Sequence, residues 1–128
     1  FHVVSSGLIL AAHLKRAERD ALVETPLAAW TEHSITEPEA VRSRLAAVRA
    51  RGHAWTLEEM SDGLNSVAAP VTNAAGTVVA AIHAHGPSYR FPDEGAADEI
   101  AAAVTSAARQ VSDRLAGRLR ADHQAVAG

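Results

Sequence analysis

The segment at residues 67–87, VAAPVTNAAGTVVAAIHAHGP, decides the fold, because it predicts two apolar β-strands joined by a short turn. Small and β-branched residues fill both arms, and the turn at residues 73–76 ends in a glycine that can take a positive φ. The second arm ends in His83-Ala84-His85. Because side chains alternate along a strand, both imidazoles lie on one face of it.

The expected register follows from the length of the turn. A four-residue turn at 73–76 makes Thr72 the partner of Thr77, and counting back places Ser66 opposite His83. One face of this hairpin is then apolar, and we expect it to be core. Its members are Val67, Ala69, Val71, Val78, Ala80 and Ile82.

The other face carries Ala68 and Ala81, whose small side chains are expected to leave a hollow. A loop at residues 61–63 pairs the preceding strand so that Thr56 and Glu58 join this face. Polar residues therefore gather at one end of it, namely Thr56, Glu58, Ser66, His83 and His85. Polar groups that converge over a hollow are typical of a small-ligand site.

The two histidines also allow an interpretation as a metal site. His-x-His on a strand directs both rings the same way, so His83 and His85 could hold zinc or iron. The third ligand would be Glu58, or His53 or His33 from outside the sheet. One alternative to a small-ligand site is therefore a metal-binding domain or a metal-dependent hydrolase or lyase. A second alternative is a purely structural oligomerisation domain. The preferred hypothesis assigns no metal and no cofactor.

Catalytic motifs are absent from the sequence. It contains no GxSxG, HExxH, GxGxxG or P-loop pattern, and no Asp is placed to orient either histidine. We therefore expect that the chain is not an enzyme and assign no catalytic residue.

The flanking segments predict helices. SSGLILAAHL offers Ser5 or Ser6 as a helix N-cap, and TEPEAVRSRLAAVRARG is a clear helix that ends at Gly52. The arginines of that second helix are expected on a solvated face, and they are Arg42, Arg44, Arg49 and Arg51.

A long helix is expected from Asp93 onward. Its apolar residues recur at helical spacing and are Ile100, Val104, Ala108, Val111, Leu115 and Leu119. Together these elements predict an α/β (α+β) fold in which helices and a long C-terminal helix pack on an antiparallel sheet.

Length, charge and amino-acid composition exclude several classes of function. The 128 residues suit a single domain, and a net charge of −3 argues against direct nucleic-acid binding. The sequence has no cysteine and no apolar run of about 20 residues. We expect a cytoplasmic protein that does not bind membranes.

The segment LAAVRARGHAWTLEEMSDGLNSVAAPVTNAAGTVVAAIHAHGPSYRF resembles the effector-binding domain of IclR-type bacterial transcriptional regulators. The resemblance rests on a helix ending in VRxxG, the acidic pair Glu58-Glu59, the APV triplet and the GP pair before Arg90. It implies a GAF/profilin-like domain that senses a small organic acid or aromatic metabolite. It also implies that residues 1–128 are one partial, N-terminally truncated effector domain. DNA would be bound only through a winged helix-turn-helix domain not present in this chain.

The resemblance also implies the effector-binding residues. They are a small-residue loop of Ser5, Ser6 and Gly7, together with the strand positions Thr56, Ser66, His83 and His85. The chain departs from the family pattern at Leu8, where a lysine is common, and at the two histidines, where small or hydroxyl residues are common. Family habit implies a homodimer or homotetramer.

Overall fold

A computed structural model describes the backbone of residues 1–127 and the side chains of all of them except 119–123 and 127. Leu119 therefore lies outside the described side chains. The elements in chain order are α1 (Ser5–Ala12), α2 (Arg16–Glu24), α3 (Pro38–Arg51), β1 (Ala54–Leu57), β2 (Leu64–Thr72), β3 (Val78–Pro87) and α4 (Ala97–Ala127). This order confirms the predicted α/β fold with its long C-terminal helix.

The three strands form an antiparallel sheet in the order β1-β2-β3. The β2–β3 register differs from the prediction by two residues, because Ser66 pairs with His85. The hairpin loop spans residues 73–77, one more than expected, and Asn73 N–H donates to the Thr77 carbonyl over 2.9 Å. A one-residue bulge in β3 shifts the register by one more residue. Because a shift of two residues preserves alternation, the residues from Ala80 onward lie on their predicted faces.

One face of the sheet packs against α1, and α3 packs on α1 in the same cluster. The buried residues of this cluster are Leu8, Ile9, Ala11, Ala12, Val23, Val41, Leu45, Val48, Ala54 and Ala68. Val78 packs here as well, and not on the opposite face as expected. Ala68 is completely buried, so the predicted hollow over Ala68 and Ala81 is wrong. The small side chains there let α1 approach the sheet closely instead of leaving a void.

The opposite face is covered by α4, as the apolar strand pattern predicted. The buried residues of this second cluster are Val67, Ala69, Val71, Ala101, Val104 and Ala108. Val111 is an exception to the predicted helix stripe, because it is 39% exposed. Both faces of the sheet are therefore covered by helices.

Within the described part of the chain, no helix combines the length and the apolarity that a bilayer crossing requires.

Candidate functional site

Three hydroxyl groups from three different elements form a chain of hydrogen bonds, which we call the hydroxyl cluster. Ser66 Oγ on β2 donates to Ser5 Oγ on α1 over 2.8 Å. Ser66 Oγ also lies 2.7 Å from Thr56 Oγ1 on β1. Ser5 and Thr56 are almost fully buried. The structure thus brings together three of the residues that the sequence and the family resemblance proposed for effector binding.

The two histidines lie next to this cluster on β3. His85 is the cross-strand partner of Ser66, and His83 is the partner of Ala68. The rings are 5.7 Å apart between centroids, and both side chains are exposed. Cross-strand partners have Cβ atoms about 5 Å apart. The imidazole beside Ser66 is therefore that of His85, and the expectation that it is His83 is wrong because the longer hairpin loop and the bulge together shift the register by two residues.

The beginning of α1 supplies unpaired backbone donors. Val4 is the N-cap and no side chain caps the helix, so the expectation that Ser5 or Ser6 is the cap is wrong. Leu8 N–H donates to the Val4 carbonyl over 3.0 Å as the first helical hydrogen bond. The N–H groups of Ser5, Ser6 and Gly7 therefore have no acceptor within the helix, and the positive end of the helix dipole lies there.

Gly7 has a packing reason for being glycine. A Cβ at this position would lie 2.5 Å from the Phe1 carbonyl oxygen and 2.8 Å from Val4 Cγ2. Real Cβ atoms do not approach backbone that closely, so a side chain here would displace the N-terminal residues from α1. Gly7 therefore holds the first turn of α1 against the preceding segment.

Glu58 does not share the face of the histidines. It follows β1 with a φ of 54°, which turns the chain out of the strand. Its carboxylate accepts hydrogen bonds from the Gly63 amide at 2.7 Å and the Ser88 hydroxyl at 3.2 Å. The expectation that Glu58 faces Ser66 is wrong, because the loop between β1 and β2 spans residues 58–63 instead of 61–63, which makes Thr56 the partner of Ser66. In the described portion of the chain, no three His, Asp or Glu side chains are grouped closely enough to hold a metal ion.

A second polar cluster, which we call the ion-pair cluster, was missed by the sequence analysis. Arg44 on α3 forms an ion pair with Glu59, which is only 4% exposed to solvent. Arg44 also donates to the Trp55 carbonyl over 2.6 Å, and Leu57 N–H donates to Glu59 Oε2 over 2.8 Å. The expectation of a solvated Arg44 is therefore wrong.

The ion-pair cluster extends into the loop before α3. The Thr31 hydroxyl donates to the Glu58 carbonyl over 2.6 Å, and the Ser34 hydroxyl donates to the Glu59 carbonyl over 2.7 Å. These contacts join the loop, α3 and the end of β1. The acidic pair Glu58-Glu59 is the feature of the sequence that could have indicated this cluster. That Arg44 on α3 is the partner of Glu59 depends on tertiary structure.

Comparison with protein families matches residues 1–113 to the family described as bacterial transcriptional regulator IclR C-terminal. The HTH-type transcriptional regulator BhcR of Paracoccus denitrificans is 34% identical over 97% of this chain and 44% of its own length. The glycerol operon regulatory protein of Streptomyces coelicolor is 36% identical over 91% of this chain and 46% of its own. The chain spans about half the length of the curated relatives it matches.

Solved structures share the fold. A transcriptional regulator from Rhodococcus sp. RHA1 has a TM-score of 0.85 at 31% identity, covering 91% of this chain and 48% of that one. A double mutant of the PobR inducer-binding domain from Acinetobacter, in complex with 3-hydroxybenzoic acid, has a TM-score of 0.80 at 25% identity. The match covers 87% of this chain and 64% of the PobR chain.

A third structure is an IclR homologue from Microbacterium hydrocarbonoxydans complexed with 4-hydroxybenzoate. It has a TM-score of 0.80 at 27% identity and covers 89% of this chain and 45% of that one.

Proposed function

The chain belongs to the IclR C-terminal family of bacterial transcriptional regulators, and we propose that it binds a small organic acid at the start of α1. The observation that carries the proposal is the hydroxyl cluster of Ser5, Thr56 and Ser66. Ser66 is the cross-strand partner of His85, and Ser5 is the first residue of α1, whose first N–H groups have no acceptor within the helix. These groups are donors of different kinds that converge on one place. An acid with one carboxylate matches their chemistry.

Each group has a distinct role in this proposal. The Ser and Thr hydroxyls can rotate, so one of their protons can turn from a neighbouring oxygen to the carboxylate. The N–H groups of Ser5 and Ser6 favour an anion through direct hydrogen bonds and through the helix dipole. The imidazole of His85 can donate a ring N–H to the carboxylate, and His83 lies beside it to contact the rest of the acid.

The apolar body of the acid cannot lie over Ala68, because α1 fills that space. We place it against the exposed side of His83 and His85 on β3. No strand within residues 1–127 pairs with the outer edge of β3. A further strand along this edge, from outside the 128 residues, would enclose the acid between itself and the two rings.

The nature of the acid is supported by the structural neighbours. One is a complex with 3-hydroxybenzoic acid and another a complex with 4-hydroxybenzoate, and both share this fold. We therefore propose an aromatic or short aliphatic monocarboxylate for this chain. The two histidines offer an aromatic acid two ring faces to stack against.

The proposed role in the whole protein is regulatory. Because the relatives are transcriptional regulators about twice as long as this chain, we propose that a separate winged helix-turn-helix domain binds the DNA. Acid binding would alter DNA affinity by favouring one state of a cytoplasmic homodimer or homotetramer. We propose no catalytic activity for the chain.

Calorimetry with matched ligands tests the acid site. The ligands are 4-hydroxybenzoate, benzoate and the uncharged 4-hydroxybenzyl alcohol, each titrated with and without a chelator. We expect the acids to bind and the alcohol not to bind, because only a carboxylate uses the donors. His85→Ala and Ser66→Ala should each weaken acid binding about tenfold, since each removes a hydrogen bond to a charged group.

His33→Ala is the matched control, because His33 is an exposed histidine on the loop before α3 and away from the hydroxyl cluster. It should leave the affinity unchanged. Equal binding of the alcohol and the acids would contradict the carboxylate site. Loss of acid binding in chelator would establish the metal alternative at His83 and His85 instead.

A further inference from the structure

A cavity of about 520 Å³ lies between α2 and α3, away from the hydroxyl cluster, and we call it the arginine groove. Its lining residues are Arg16, Arg19 and Asp20 from α2, and Arg42, Leu45, Ala46, Arg49 and Ala50 from α3. Four of these eight residues are arginines, although the chain as a whole has a net charge of −3. Positive charge is therefore concentrated at this place.

The spacing of the α3 residues explains the shape of the groove. Arg42 and Arg49 are seven residues apart, which is about two helical turns and about 10 Å along the axis. Ala46 lies between them on the same face, and its methyl group leaves the space open. On α2, Arg16 and Arg19 are three residues apart and so lie on one face. Two pairs of guanidinium groups therefore border a floor formed by Leu45, Ala46 and Ala50.

Two of the four arginines have carboxylate partners. Arg42 pairs with Glu24 and Glu39, and the hydrogen bonds that its guanidinium donates to those two carboxylates raise its pKa above the ordinary value. Arg16 lies 3.7 Å from Asp20. The charges of Arg16 and Arg42 are therefore partly balanced by neighbouring carboxylates.

The other two arginines are not balanced in this way. Arg19 donates to the Leu14 carbonyl, a neutral acceptor, over 3.4 Å. For Arg19 and Arg49, the described side chains include no carboxylate within 4.0 Å. Two guanidinium groups on opposite helices are therefore available to an anion.

We propose that the arginine groove binds a small polyanion that carries at least two phosphate or carboxylate groups. Each free guanidinium presents paired N–H donors that match the oxygens of one such group. Arg19 on α2 and Arg49 on α3 would each take one anionic group, and the molecule would bridge the two helices. A cavity of 520 Å³ has the size of an ordinary small-molecule site. This ligand is distinct from the acid proposed at α1.

Calorimetric titration of the 128-residue chain with pyrophosphate, at about 0.1 M salt where exposed charges are partly screened, tests the proposal. We expect saturable binding. The double variant Arg19→Gln/Arg49→Gln should weaken it about tenfold or more, because both bidentate contacts are lost. The matched control is Arg114→Gln/Arg118→Gln, which removes two exposed arginines of α4 and the same charge. It should change the affinity less than about twofold.

Three results would overturn the proposal. They are the absence of saturable pyrophosphate binding, an equal loss in the two double variants, and tighter binding of a 20-base-pair DNA duplex than of pyrophosphate. The last would mean that the groove contacts nucleic-acid phosphates. Circular dichroism should show both variants folded, since all four arginines lie on helix surfaces. Pyrophosphate binding that persists in His85→Ala would separate this site from the proposed acid site.

Discussion

The hydroxyl cluster and the ion-pair cluster both lie at the end of β1, yet they differ in chemical capacity. Arg44 and Glu59 use their donors and acceptors on each other and on the backbone of Trp55 and Leu57. Among the described side chains, the hydroxyls of Ser5, Thr56 and Ser66 bond only to one another, and each can turn toward a new acceptor. Saturated polar groups hold a fold together, whereas groups with spare hydrogen-bonding capacity beside exposed imidazoles suit a ligand.

The largest effect is expected from breaking the ion-pair cluster. Glu59→Ala leaves the Arg44 guanidinium, whose side chain is 18% exposed, without its carboxylate. Removing one partner of a buried ion pair costs about 3 kcal/mol of the free energy of unfolding. Urea unfolding followed by circular dichroism measures this loss.

The double variant Arg44→Met/Glu59→Leu is the control for this experiment. It removes both charges, so it should regain a large part of the stability lost in Glu59→Ala. A single variant as stable as the wild type would show that the pair is solvated and that the contrast between the two clusters is wrong.

A smaller effect is expected from the hydroxyl cluster. Ser66→Ala removes the central member, so that the buried hydroxyls of Ser5 and Thr56 each lose a partner. The expected loss is about 1–2 kcal/mol in the same urea experiment, because neutral hydrogen bonds contribute less than charged ones. Ser43→Ala, at an exposed position on α3, is the matched control and should change stability little.

Acid affinity, measured in the same variants, distinguishes the roles of the two clusters. Ser66→Ala should reduce acid affinity while Glu59→Ala, measured below its unfolding midpoint, should not. The opposite ranking would move the functional site from the hydroxyl cluster to the ion-pair cluster.

The sequence predicted which residues share a face better than which residues touch. Alternation along β2 placed Ser66 on the correct face, and Thr56 followed from the same argument. The hairpin loop is one residue longer than predicted and β3 contains a one-residue bulge. Each change alone would reverse the faces of the β3 side chains, and together they restore them. They nevertheless make His85, and not His83, the neighbour of Ser66. Alternation fixes the face of a residue, whereas the length of a loop and the position of a bulge fix its partner.

Contacts between distant segments were the least predictable. That α1 fills the space over Ala68 depends on how closely a helix approaches the sheet, which no local pattern records. The left-handed backbone of Glu58 is equally invisible in a strand pattern, because this conformation is uncommon for residues other than glycine. Ser5 entered the candidate site through family resemblance alone, and its bond to Ser66 joins residues 61 positions apart.

The smallest effect is expected at Arg42, which tests whether burial decides the strength of an ion pair on α3. Arg42 lies two residues before Arg44 and also pairs with glutamates, but Glu24 and Glu39 are 66% and 87% exposed. Water and salt screen such pairs, so Arg42→Gln should leave the urea midpoint unchanged within error. Arg44→Gln in the same helix should lower it clearly, because Glu59 is buried. In 1 M salt the Arg42 variant should coincide with the wild type, while the Arg44 variant should stay destabilised. Equal shifts for both arginines would mean that the ion-pair cluster is no more protected from solvent than the helix surface.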